Sequence, residues 1–284
     1  MRNGLSSYIC TMSLIIDQLK ETVGFIRNIC PAVPEVGIVL GSGLGNFLKD
    51  IIVEASIPYE DIPHFPVSTV KGHKGALVFG SIQDKKIVAM AGRFHFYEGY
   101  TAREVIYPIR AMQRLGIKNL LLSNAAGGVN PDFKVGDLMM INDHISLATV
   151  NPLLGPNDEL LGRRFPDMSE PYCPKLMAKA RAIGAALKIP LKEGVYFGVT
   201  GPTFETRAEY KMIYRLGADA VGMSTVQETI AAVHMGLPVF AVSVITDLGI
   251  EESPAVITHE EVLEAAGKAE PLLTALFKQL IVAL

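Results

Sequence analysis

Cysteine is scarce in this sequence: Cys10, Cys30 and Cys173 are the only three in 284 residues, odd in number and far apart. No C-x-x-C pair is present to hold zinc or cycle a disulfide, and the usage fits a reduced, cytoplasmic compartment. Runs of one charge are also missing. The formal net charge is -3 with no Lys/Arg run, whereas nucleic-acid binders carry a basic patch or stripe. Nucleic acid is therefore not an expected partner, and any bound anion must be small and held by a local site. Long apolar runs are lacking too. The longest, Pro238 to Ile245, is far too short to span a bilayer, so no membrane is expected. The short apolar stretch Met12 to Ile16 is followed at once by Asp17, Lys20 and Glu21, which does not read as a signal peptide. No repeat, low-complexity tract, linker or composition shift divides the chain, so residues 1–284 read as one domain.

What is present is a hydrophobic content of 49%, enough for a sizeable core. Short β-branched runs stand out at Val36–Leu40, Ile87–Ala91, Asn119–Ser123, Val195–Val199, Ala218–Val221 and Val239–Ile245. They are near-continuously apolar, as strands buried on both faces of a sheet are. Helical patterns lie between them. Leu14–Ile29 is amphipathic, and Ala102–Leu115 stops at Gly116. Thr206 with Glu209, and Thr258 with Glu261, are capping boxes that open helices. Thr225-Val226-Gln227-Glu228 opens another helix that ends near Gly236. Alternating strands and helices imply an α/β fold. In open α/β sheets ligands bind beyond the carboxyl ends of the strands, and here polar or glycine-rich segments follow each strand.

Each segment permits two readings. Gly41-Ser42-Gly43-Leu44-Gly45 offers close-set backbone N–H groups that suit either a tight turn or a phosphate cradle. It lacks the Gly-Lys-Ser/Thr ending of a P-loop and the spacing of a dinucleotide fingerprint. Arg93 ends a strand beside His95 and Tyr97. It is either a surface arginine or a two-pronged phosphate grip. Ser224 is an N-cap or an anion contact at a helix start. Glu205 either complements a helix dipole or accepts from the N–H groups of a heterocycle, with Phe204 stacked on the ring. Asp247 is a solvated turn residue, or a proton donor or acceptor if burial raises its pKa. His73 lies in a probable turn, solvated or near phosphate. His259 sits in the first turn of the last helix. His259 begins no H-E-x-x-H motif, and His64, His144 and His234 lack ligand spacing, so no metal is expected.

Taken together, Arg93 to Tyr100, Asn124 to Gly128, Gly201 to Thr206 and Gly217 to Thr225 resemble the trimeric purine nucleoside phosphorylases, and the resemblance runs from about Val36 to the last helix. It implies a mixed central sheet with a distorted barrel, flanked by helices, in a homotrimer. It implies reversible phosphorolysis of purine nucleosides in purine salvage, with inorganic phosphate as co-substrate and no cofactor. By similarity, phosphate is held by Ser42, His73, Arg93, Ser224 and the backbone N–H of Ala125. The ribose lies against Tyr97, His95 and Met223, with His259 near its 5′-hydroxyl, and the purine meets Phe204, Glu205 and Asp247. His95, Glu205 and Asp247 are the expected catalytic residues. Leu161 stands where the family lends a neighbouring subunit an aromatic side chain.

Asp247 departs from the family pattern, which for 6-oxopurine enzymes places asparagine there. An asparagine donates; an ionised aspartate only accepts. Asp247 is therefore expected to be either protonated and donating to the purine N7, or accepting from a 6-amino group. Related methylthioadenosine phosphorylases carry aspartate here but lack the Phe204-Glu205 pairing. The same reaction on methylthioadenosine, and a nucleoside-binding protein without catalysis, are the alternative readings. A dinucleotide oxidoreductase lacks its glycine fingerprint.

Overall fold

The computed structural model describes residues 2–67, 75–249 and 258–284, with side chains from residue 14 onward. In chain order, helix α1 (Arg2–Ile29) leads to β1 (Val36–Val39), β2 (Ile52–Pro58), β3 (Ala76–Ile82) and β4 (Lys85–Ala91). Two helices, α2 (Ala102–Val105) and α3 (Tyr107–Leu115), precede β5 (Asn119–Gly128) and β6 (Leu138–Ala148). Then follow α4 (Pro174–Leu187), β7 (Leu191–Val199), α5 (Arg207–Arg215), β8 (Ala220–Gly222), α6 (Val226–His234), β9 (Val239–Leu248) and α7 (His259–Val282). No helix among the described residues is long and apolar enough to cross a membrane.

The nine strands form one mixed sheet ordered β2-β3-β4-β1-β5-β8-β7-β6-β9. Strand β9 also pairs with β5, so β5, β8, β7, β6 and β9 close on themselves as an irregular barrel. Its weakest seam is β5 to β8, where only Gly127↔Val221 and Gly128↔Ala220 are paired. Core strands β1, β4, β5 and β9 are apolar on both faces because helices and barrel wall cover both sides.

Three strands carry no strong sequence signal. β2 is mostly exposed and ends at Pro58, as an edge strand does. Gly80 interrupts β3. β6 begins Leu138-Met139-Met140 and turns polar and half-exposed past Ile141. Helix α4 is likewise silent in sequence, since Cys173 gives it no side-chain cap. The expected helix Ala102–Leu115 is two, broken at Ile106, because Pro108 starts a new helix more readily than it continues one. The capping boxes at Thr206 and Thr258 both form.

Two expected loops are strand instead. Asn124 to Gly128 and Asp247 extend β5 and β9, which run parallel in register from Leu120↔Val239 to Ala126↔Ile245. The register then jumps to Gly127↔Asp247. Thr246 is thereby the extra residue of a β-bulge, a device that re-aims the side chains after it.

Helix α7 clamps the loop after β1. Buried Glu270 accepts from Asn46 Nδ2 at 2.7 Å and from the Phe47 backbone N–H at 3.1 Å. Gly43 has φ +75°, and an added Cβ would lie 2.8 Å from Ala266 Cβ on α7. Gly43→Ala is therefore expected to lower stability by about 1–3 kcal/mol. Gly45→Ala, with open space at its Cβ, is expected to be near neutral. Urea unfolding of both variants checks this.

Candidate active site

Every expected site residue that the structure describes lines one cavity of about 390 Å³: Ser42, Arg93, His95, Tyr97, Ala125, Phe204, Glu205, Met223, Ser224, Asp247 and His259. His73 lies outside the described residues. Strand ends bring the set together. Ser42 follows β1, Arg93 follows β4, Ala125 lies within β5, Met223 and Ser224 follow β8, and Asp247 lies near the end of β9.

Arg93 is not a surface arginine; it is 1% exposed. Its Nε donates to Glu228 Oε1 at 3.0 Å and its Nη2 to Oε2 at 2.8 Å, a two-pronged ion pair. Its Nη1 donates to the Ser123 carbonyl at 2.5 Å. The Ser123 hydroxyl in turn donates to Val39 O at 3.2 Å and accepts from Gly41 N–H at 3.3 Å. Thus β1, β4, β5 and α6 meet at one buried charge.

Beside it, Ser224 N–H donates to the Tyr196 hydroxyl at 3.4 Å. Ser224 does not cap α6. Thr225 holds the N-cap position at φ 70° and gives no side-chain cap. Its hydroxyl instead accepts from Asn124 Nδ2 at 2.8 Å. This leaves the start of α6, where N–H groups favour an anion, next to Arg93 and Ser42.

His95 is fixed by Glu98. The Glu98 Oε1 accepts from His95 N–H at 2.8 Å and lies 3.1 Å from Nδ1, which favours a proton on Nδ1. Burial lowers the His95 pKa; the hydrogen bond to Glu98 opposes it in part. The neutral ring stacks on Tyr97 at 4.6 Å between centroids. Burial, aided by Glu98, pushes the Tyr97 phenol up to about 12. Phe204 is 42% exposed at the rim.

The far end of the cavity is acidic in composition. Burial raises the Glu205 pKa; hydrogen bonds from its own backbone N–H and from Tyr210 oppose the rise in part, and Asp247 adds to it. Burial likewise raises Asp247, against one hydrogen bond from Thr246. The Thr246 hydroxyl donates to Asp247 Oδ1 at 3.0 Å. Asp247 Oδ2 is buried with no hydrogen-bond partner among the described residues. Asp247 is thus no solvated turn residue.

Sequence reading missed three residues here. Glu98 stands in a quoted motif without a role. Tyr210 lines the cavity. Glu228 was noticed only as part of a helix start. Its signal is an acid among the apolar residues of a buried helix, which must be paired. Glu228→Gln leaves the Arg93 charge uncompensated. It is expected to cost about 3 kcal/mol in thermal unfolding. Glu193→Gln, which breaks the exposed pair with Arg181, is expected to cost under about 1 kcal/mol.

Residues 35–282 match the family model described as the phosphorylase superfamily. Purine nucleoside phosphorylase 1 of Bacillus subtilis is 46% identical over 267 residues, covering 93% of this chain and 98% of that one. The purine nucleoside phosphorylase of Bos taurus is 45% identical over 260 residues, covering 89% and 90%. Among solved structures, Schistosoma mansoni purine nucleoside phosphorylase in complex with inosine superimposes with a TM-score of 0.90 at 40% identity, covering 95% of this chain and 97% of that one. Isoform 2 from the same organism, in complex with cytosine and ribose-1-phosphate, gives a TM-score of 0.89 at 42% identity, covering 94% and 96%. With its mixed sheet, irregular barrel and shared cavity, this chain belongs to the purine nucleoside phosphorylases of the phosphorylase superfamily.

Proposed function

We propose that this chain catalyses reversible phosphorolysis of purine ribonucleosides and 2′-deoxyribonucleosides, releasing free base and the sugar 1-phosphate, as a step of purine salvage in the cytoplasm. The observation that carries this reading is the convergence of Ser42, Arg93, Ser224 and Asp247, from separate strand ends, on one cavity. It has the size of a small-ligand site. Inorganic phosphate is the co-substrate, and no cofactor takes part.

In this reading phosphate sits at the Arg93 end, against Ser42, Arg93, Ser224 and the Ala125 N–H, with His73 completing the set. The ribose rests on His95, Tyr97 and Met223, with His259 near the 5′-hydroxyl. Phe204, Glu205 and Asp247 meet the purine. As the bond between base and sugar stretches, the sugar becomes cation-like and the base anion-like. Phosphate stabilises the first and attacks the anomeric carbon from the opposite face. A donor at N7 stabilises the second. Fixed donors placed where charge develops are the main catalytic lever, and joint binding supplies much of the rest.

The raised pKa of Asp247 and its unpartnered Oδ2 favour the protonated, donating form, hence 6-oxopurine nucleosides. Phosphate-dependent base release from inosine, guanosine, adenosine and methylthioadenosine tests this. Turnover of inosine and guanosine is expected, lost as pH rises through the raised Asp247 pKa. Asp247→Asn is expected to remove that pH dependence, because an amide donates at any pH. Turnover of adenosine or methylthioadenosine in preference would mean that Asp247 accepts instead.

A homotrimer belongs to the same proposal. Leu147, Leu154, Leu160 and Phe165 are 64–86% exposed on β6 and the segment after it, an apolar surface of the kind that marks an interface. Leu161 packs partly against its own core, so Leu160 is the better placed to reach a neighbour. Light scattering is expected to give the mass of three chains.

A further inference from the structure

We propose that Tyr210 is a specificity-determining residue whose buried phenol donates to the six-position oxygen of a bound purine, an inference that rests on the phosphorylase reading above. Tyr210 lies in the first turns of α5. Its ring belongs to a small apolar cluster with Val129, Phe197, Ile213, Ala218 and Val221. The residue is 5% exposed, yet it lines the cavity beside Glu205 and Asp247.

Its hydroxyl is buried and makes no close hydrogen bond among the described residues, although it lies near enough to Glu205 to oppose the rise of that carboxyl's pKa. Asp247 Oδ2 is likewise buried without a close hydrogen bond among them. Buried polar atoms are normally paired, and each orphan calls for an explanation. Two orphans at one end of one cavity are accounted for together by the polar edge of a ligand. Burial, then the nearby Glu205 and Asp247 carboxylates and a long hydrogen bond to Glu205, push the phenol pKa well up and keep it protonated. Tyr210 therefore offers a neutral O–H where the other side chains are carboxyls.

Purine geometry then selects the atom it meets. Around the base, the six-position substituent lies between N1 and N7. With Glu205 on the N1 side and Asp247 on the N7 side, a phenol near both carboxyls faces that substituent. The backbone fixes the ring in this pose. An added Cβ on Gly249 would come within 2.2 Å of the Tyr210 ring, so the ring lies directly on the Gly249 main chain, two residues beyond Asp247.

The test compares inosine, which has a six-position oxygen, with purine riboside, which has no substituent there. Tyr210→Phe is expected to lower kcat/KM about tenfold for inosine and less than about twofold for purine riboside, with the KM for phosphate unchanged. Gly249→Ala displaces the ring without altering the phenol and is expected to give the same selective loss. A parallel loss on both substrates would mean that Tyr210 only supports the fold. No loss on either would mean that the phenol does not touch the base. Either result overturns the proposal. Wild-type protein that releases no base from any nucleoside with phosphate would instead overturn the phosphorylase reading, and this proposal with it.

Discussion

The ion pair between Arg93 and Glu228 organises the site. A guanidinium taken wholly out of water is costly unless its donors are met and its charge is balanced. Here a carboxylate on α6 takes two of its donors and a carbonyl of β5 takes a third. The cost of a loose fit forces three elements into fixed relation, because any shift would strip partners from a buried charge. Ser123 passes the constraint on to β1 and the glycine loop. The loop that carries Ser42 is gripped from the other side by Glu270 on α7.

The cavity is polarised along its length. One end gathers a paired arginine, hydroxyls and the start of a helix. The other holds two carboxyls whose ionisation burial opposes. A reaction that makes one part of its substrate cation-like and another anion-like suits a cavity with this polarity. Burial lowers the His95 pKa and so disfavours a second cation in the middle of the cavity.

What the sequence made legible was mostly local. The capping boxes at Thr206 and Thr258 involve residues three apart and form as expected. Glycine and polar residues after apolar runs located the cavity, whether they follow the strand, as Ser42 and Arg93 do, or lie in its C-terminal part, as Ala125 and Asp247 do. Partnerships over long separations were not legible. Glu228 lies 135 positions from Arg93, and nothing near either residue announces the other. The strand character of Asn124 to Gly128 was hidden for a similar reason: small residues have little propensity for strands, and only pairing with β9 extends them. The missed strands β2 and β6 owe their form to neighbours across the sheet, not to their own alternation.

The bulge at Thr246 gives the scaffold an unusual evolutionary freedom. Side chains along a strand alternate between two faces, yet Thr246 and Asp247 both line the cavity because one residue is looped out of register. Loss of a single codon there would leave the aspartate opposite Gly127 and on the same face, but would remove the hydroxyl that donates to it, while the apolar run before it stayed in place. An insertion or deletion at this point therefore changes what supports the carboxyl without moving the Arg93 end of the cavity.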